Sequence, residues 1–417
     1  MILYYLLLFG LVFDYKGLED GGGAFQIMTF LLTVLAGLLI ISRSHGRSER
    51  SWQFWSMFIY LLLVVVVAFF QDVQIDRFVR VASPYLLLAI GFGVGRASLS
   101  DITVLKLKQH ALVASIVATV FTVAYGFIST GDVSGDIRYQ ILSPMMFVAV
   151  PLLTFNIWIL RTNLVASAGW LIFILYFIFL SATRSWLLAY ISIVSIGMLL
   201  HGYILGGVIK TVSIGALKFL SVAAVFTAFL LLVSPDSVSR MADRFFSADS
   251  VGFDITTATR LAEIDYQLES WLADANSFLF GKGLGAAYGF GGQNIEYLYS
   301  HLGADGVAID WWFAGHNFWV YSLFSQGIIL GLVLPALIVF VFISSLKEII
   351  MKNRWIGHDQ ESFKFIQMTF LVTSSILVST IGGNPLGNRM FSLYIGIFLG
   401  VAVAASNAKK RPAIPIF

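Results

Sequence analysis

Long apolar runs separated by short charged connections set the pattern of this chain. They fall at 1–13, 24–42, 52–70, 82–98, 109–129, 141–160, 164–182, 185–206, 213–233, 317–344, 365–382 and 391–406. Several approach the roughly 18 to 20 residues with which a helix, rising 1.5 Å per residue, crosses a hydrocarbon core about 30 Å thick. Stretches such as 61–70 and 222–233 do not alternate between apolar and polar positions, so they do not read as barrel strands. The pattern predicts an all-α polytopic membrane protein with about twelve transmembrane helices. The first run lacks a basic start and is closed by Asp14 and Lys16, which predicts a retained helix rather than a cleaved signal.

Composition agrees with that reading. Of 417 residues 58% are hydrophobic and 12% charged, with a mean hydropathy of +0.86, whereas a soluble domain carries roughly 25% charge. The absence of cysteine excludes disulfides, thiolate zinc sites and a cysteine nucleophile.

Basic residues orient the spans. With a cytoplasmic N-terminus, the inner loops and tail hold sixteen of the 26 basic residues, among them Arg43, Arg96, Lys108, Arg161, Lys347 and Lys410. Only five of the 23 acidic residues fall on that side: Glu49, Asp101, Glu348, Asp359 and Glu361. The bias places both termini inside. The chain then divides into spans one to nine (1–233), an extracytoplasmic segment (234–316), and spans ten to twelve with the tail (317–417). The middle segment, about eighty residues long, far exceeds an ordinary loop and is expected to carry function.

Within it, Leu261, Ile264, Leu268, Trp271 and Leu272 recur at helical steps between Glu263, Asp265, Glu269 and Asp274. They predict an amphipathic helix from Thr257 to Asp274, with Thr256 or Thr257 as its cap. Arg260 falls in the first turn, where the helix dipole disfavours a cation by roughly a few tenths of a kcal/mol. Either it pairs with Glu263 or Asp254, or it holds an anion such as a phosphate together with the free N–H groups. The turn 279–285, Leu-Phe-Gly-Lys-Gly-Leu-Gly, carries Lys282 but lacks the ending of a nucleotide loop, so it reads as a tight turn or a weak phosphate cradle. His316 and Asn317 precede the tenth apolar run, beside Trp311, Trp312, Phe313 and Trp319. A histidine at headgroup level can serve as a general base, or simply sit in an interfacial aromatic belt.

Arg184 lies in a very short turn between two long runs, where a charge either faces a cavity in the bundle or snorkels to the headgroups. The same topology puts Arg138 and Arg389 on the outer side. There is no Asp-x-Asp, His-Glu-x-x-His, Gly-x-Ser-x-Gly or nucleotide loop, no zinc ligand pattern and nothing that points to nucleic acid.

Arg260, Trp271, the 279–285 turn, His316-Asn317 and the following Gly327-Ile-Ile-Leu-Gly331, in that order and spacing, resemble the O-antigen ligase and polymerase superfamily. The resemblance covers the chain in outline and is specific over 181–186 and 256–331. It implies a GT-C-type inner-membrane glycosyltransferase, acting at the periplasmic face on sugars linked to undecaprenyl pyrophosphate, with no cofactor or metal. Arg184, Arg260 and His316 match the family's functional positions. Arg389, Arg138, Asn317 and Lys282 are further candidates for binding pyrophosphate or sugar. At Arg138 the residues that follow, Tyr-Gln-Ile-Leu-Ser-Pro, depart from the family's usual Gly and Asn-Pro. The expected activity is polymerisation of lipid-linked repeat units, with transfer of a finished chain to lipid A-core as the alternative. A transporter or lipid-linked-sugar flippase fits less well, because no internal repeat is visible and the outer segment is large. Such polymerases often work with a membrane co-polymerase that sets chain length.

Overall fold

The computed structural model describes residues 2–13, 23–44, 52–98, 103–130, 140–207, isolated positions between 213 and 242, and 255–307, 312–351 and 360–408. Its helices are α1 (Ile2–Phe9), α2 (Gly23–Ser44), α3 (Trp52–Phe70), α4 (Ile75–Ser98), α5 (Val104–Thr130), α6 (Met146–Phe155), α7 (Leu164–Leu180) and α8 (Arg184–Leu205). They continue with α9 (Ile255–Leu272), α10 (Ala275–Phe280), α11 (Ile295–Val307), α12 (Phe318–Gly331), α13 (Val333–Ile350), α14 (Gln360–Gly382) and α15 (Arg389–Ala408). Among the described residues there is no strand, only an isolated bridge between Tyr288 and Trp312. Seven helices, α2, α4, α5, α8, α13, α14 and α15, are long and apolar enough to cross a membrane, and α3, α6, α7 and α12 are apolar but shorter. The protein is an all-α membrane protein.

Several of the expected runs are changed or left open: 1–13 holds only the eight-residue α1, too short to cross a bilayer, and 141–160 begins its helix at Met146. The run 213–233 lies almost wholly outside the described residues. The run 317–344 is interrupted twice: Gly327 takes φ 65° and kinks α12, and α12 closes at its C-cap Leu332 before α13 starts at Val333 with Pro335 inside its first turn. Proline is tolerated there, since first-turn N–H groups have no intrahelical acceptor. The short α12 packs against α9 and α10, while α13 alone has the length of a span.

Helices α4, α14 and α15 form the centre: 72%, 78% and 78% of their apolar windows are buried, against 33%, 39% and 33% for α2, α5 and α13. The reason is legible in two small-residue pairs, Gly91/Gly95 on α4 and Gly396/Gly400 on α15. A Cβ on Gly91 or Gly95 would stand 2.2 or 2.1 Å from the carbonyl oxygens of Leu393 and Ile397. One on Gly396 or Gly400 would meet those of Leu88 and Phe92 at 2.1 and 2.2 Å. Lipid tails are as apolar as leucine, so helices in a bilayer associate mainly where small residues allow such backbone proximity.

Helix α14 gives the bundle its two ends. At its start, Glu361 Oε1 accepts from the Val104 N–H at 2.8 Å. Nearby on α5 and after α6, Lys108 Nζ donates to Asn156 Oδ1 at 2.6 Å and Arg161 donates to His201 Nε2 at 3.0 Å. At its other end, Gly382 meets Arg260. Lys108 and Arg161, assigned to the inner loops, and the outer candidate Arg260 therefore lie at opposite ends.

Candidate active site

Helix α9 carries the centre of the site. It starts at Ile255, so Thr256 and Thr257 lie inside it rather than capping it, and Arg260 sits in the second turn rather than the first, where the dipole acts weakly. The buried stripe is also different. Ala258, Ala262, Glu263 and Gln267 are buried, whereas Leu261, Ile264 and Leu268 are half-buried and Leu272 is exposed. Helical periodicity identifies an apolar face but does not distinguish a protein core from a lipid boundary.

Arg260 does not pair with Glu263, and Asp254, the other expected partner, lies outside the described residues. The Arg260 Nη1 donates to the Gly382 carbonyl at 2.8 Å, at the C-terminal end of α14 where the dipole favours a cation. A guanidinium has five N–H donors, so one bond leaves a fork available. Gly382 also touches α8, since a Cβ there would stand 2.3 Å from Ser185 Cβ. Arg184, half-buried, opens α8 directly before Ser185, after a turn in which Ala182 holds φ 48°. Gly382, which Arg260 holds, and Ser185, which follows Arg184, thus form one rim.

An open cleft of about 90 Å³ lies under that rim. Phe147, Trp186, Pro385 and Phe391 make it mainly apolar, and Ser185 and Asn384 are polar members. His316 is not part of it. A link between the two is Trp319, three residues beyond His316, whose Nε1 donates to Thr380 Oγ1 at 3.0 Å near the end of α14.

On the same helix as Arg260, one turn on, Glu263 turns to His316. Its Oε1 accepts from the His316 backbone N–H at 2.7 Å and its Oε2 meets His316 Nδ1 at 2.8 Å. Gln267 Nε2 adds a bond to Oε1 at 3.1 Å. The carboxylate side chain is 3% exposed and the imidazole 46%. The segment before His316 is pinned at each step. Tyr288 N–H donates to Trp312 O at 2.8 Å, Tyr321 Oη to Phe313 O at 2.7 Å, and Tyr288 Oη to Ala314 O at 3.2 Å. Burial first, and then the Glu263 charge, hold the Tyr288 phenol well above its usual range, so it remains a donor.

The other predicted residues take different places. Asn317 Oδ1 accepts from the Trp319 and Val320 N–H groups at 3.0 and 3.1 Å, which makes it the N-cap of α12. Lys282 Nζ lies 3.4 Å from Asp274 Oδ2, and its own N–H donates to Phe324 O at 2.8 Å. The glycines around Lys282 serve close approach: Gly281, Gly283 and Gly285 all hold positive φ, and a Cβ on Gly281 would stand 2.4 Å from the Gln326 nitrogen. Trp271 stacks on Phe278 and donates to its carbonyl at 3.0 Å, tying α9 to α10. Arg389 turns to α4 and α2, donating to Ser83 Oγ at 3.2 Å with its guanidinium 5.8 Å from the Phe30 ring centre. Arg138 lies outside the described residues. The residue that sequence reasoning missed is Glu263, which the helical spacing offered only as a partner for Arg260.

No protein-family model matches this chain, and no curated protein does.

Proposed function

We propose that this protein is a membrane glycosyltransferase that polymerises oligosaccharide repeat units carried on undecaprenyl pyrophosphate, at the periplasmic face of a bacterial inner membrane. In this reading the bundle is GT-C-like with about twelve crossings, α13 being the tenth, and both termini are cytoplasmic. The observation that carries it is the placing of two chemistries on one short helix. Arg260 holds Gly382, which lines an apolar cleft together with the Ser185 that follows Arg184, and one turn from Arg260 Glu263 holds an exposed His316. An amphiphile with an anionic head and an apolar tail suits the first half, and a hydroxyl-bearing acceptor the second.

The chemistry is a single displacement with inversion. The acceptor oxygen bonds to the anomeric carbon while its proton passes to the free imidazole nitrogen of His316. The anomeric C–O bond breaks, and its electron pair leaves with the lipid pyrophosphate. Guanidinium forks stabilise charge developing on that leaving group. The imidazolium then returns its proton to water. Arg389 and Lys282, held by Ser83 and Asp274, contribute less directly. A chain-length-setting co-polymerase is the expected membrane partner.

The test is to incubate the purified protein in lipid with one undecaprenyl-pyrophosphate repeat unit and to resolve the products by mass. A ladder spaced by one repeat, absent with His316→Ala, supports polymerisation. Transfer that requires added lipid A-core makes the protein a ligase with the same site. No transfer in either arm overturns the reading.

A further inference from the structure

We infer that Glu263 is the positioning residue that fixes which nitrogen of His316 acts. Its catalytic consequence rests on the function proposed above. Its structural basis does not.

Every described group that approaches the Glu263 carboxylate is placed to donate. The His316 backbone N–H and Gln267 Nε2 go to Oε1, His316 Nδ1 faces Oε2, and the Tyr288 hydroxyl, which also reaches Ala314 O, lies within hydrogen-bonding reach of the carboxylate. At 3% exposure this carboxylate has almost no water to satisfy it, so its oxygens depend on those donors. An ionised carboxylate only accepts. The neutral imidazole must therefore carry its proton on Nδ1 and present Nε2 as a lone pair at its exposed edge. The second bond, to the main-chain N–H of the same residue, fixes the backbone from which the ring projects. Two contacts between one carboxylate and one residue thus set both tautomer and direction. When Nε2 takes up the acceptor proton, the buried charge lies beside the new imidazolium and stabilises it.

Glu263→Gln separates this role from simple packing. The amide keeps the size but has one accepting oxygen and one NH₂. If its oxygen stays with the His316 backbone N–H and Gln267, its NH₂ faces Nδ1 and forces the opposite tautomer, with the proton on Nε2. If the amide turns round, the backbone N–H loses its acceptor. The turned amide would keep Nδ1–H but set its NH₂ against two donors, so the first orientation is favoured, and it removes the base while the helix and its neighbours remain.

The experiment is long-range ¹H–¹⁵N spectroscopy of the full-length protein labelled at its six histidines, with a His316→Ala spectrum to assign the signal. We expect the Nδ1–H pattern in the wild type and its loss, or conversion to the Nε2–H pattern, in Glu263→Gln. An Nε2–H pattern in the wild type, or an unchanged spectrum in Glu263→Gln, overturns the inference. In the transfer assay, Glu263→Gln is expected to lower kcat by at least about 100-fold with little change in KM, and Glu263→Asp to recover part of it. Near wild-type kcat in Glu263→Gln also overturns it. If the wild type transfers nothing but its tautomer is as expected, the proposed function fails and the positioning of His316 stands.

Discussion

A Cβ added to Gly95 would stand 2.1 Å from the Ile397 carbonyl oxygen, and one on Gly400 would stand 2.2 Å from that of Phe92. The central helix pair is therefore a backbone-to-backbone contact in which side chains have no room. Gly95→Ala should lower stability by about 1–3 kcal/mol through overpacking, and Gly95→Leu should prevent the pair from closing. Gly387→Ala, with nothing within 4 Å, is the matched control and should melt with the wild type. Thermal melting of the detergent-purified variants checks both.

At the site, Arg260→Ala and His316→Ala should each abolish transfer in the lipid-linked assay while the protein stays folded. Arg260→Lys should recover little, because an ammonium lacks the planar fork that can hold Gly382 and a phosphate together. Near wild-type product from either alanine variant would remove that residue from the chemistry.

Lys282 and Gly281 should behave in opposite ways. Lys282→Ala gives up a partly exposed pair with Asp274 and should transfer and melt nearly as the wild type does. Gly281→Ala must hold φ 78° with a Cβ pressed onto the Gln326 backbone, and should cost about 1–3 kcal/mol. A phosphate-binding turn would show the reverse order, so melting and transfer of the two variants decide it.

Asp274 links the loop to pH. It caps α10, and bonds from the Ser277 N–H first and its hydroxyl next hold the carboxyl down to about 2, from an ordinary 3.8. A folded-state pKa below the unfolded one stabilises fully above about pH 4 and is lost as pH falls through about 2. Hydrogen exchange at the Ser277 amide, corrected for its intrinsic rate, should therefore rise over that window. In Asp274→Ala the amide should be unprotected throughout.

Much of the bundle was legible in the chain alone. The lengths of apolar runs such as 24–42 and 365–382 correspond to α2 and α14, because the backbone must satisfy its own hydrogen bonds in lipid and a helix does so locally. Charge counting likewise separated Lys108 and Arg161 from Arg184, Arg260 and His316, which lie at opposite ends of the bundle. Where local geometry competed with hydropathy, the reading was less complete. The kink in 317–344 falls at Gly327, where a Cβ would stand 2.3 Å from the Leu279 carbonyl oxygen, a contact far apart in sequence.

Residue types and their order along the chain depend only on near neighbours, so they could nominate Arg260 and His316 and predict a helix around 257–274. The partners of those residues depend on long-range packing. Arg260 finds a helix end 122 residues away, and Glu263 finds an imidazole 53 residues away instead of the arginine one turn before it. A side chain has many donors and acceptors within reach of its own helix, and burial between helices selects among them by removing water as a competitor. That selection made Glu263 part of the site, turned Asn317 into a helix cap and left Lys282 paired with Asp274.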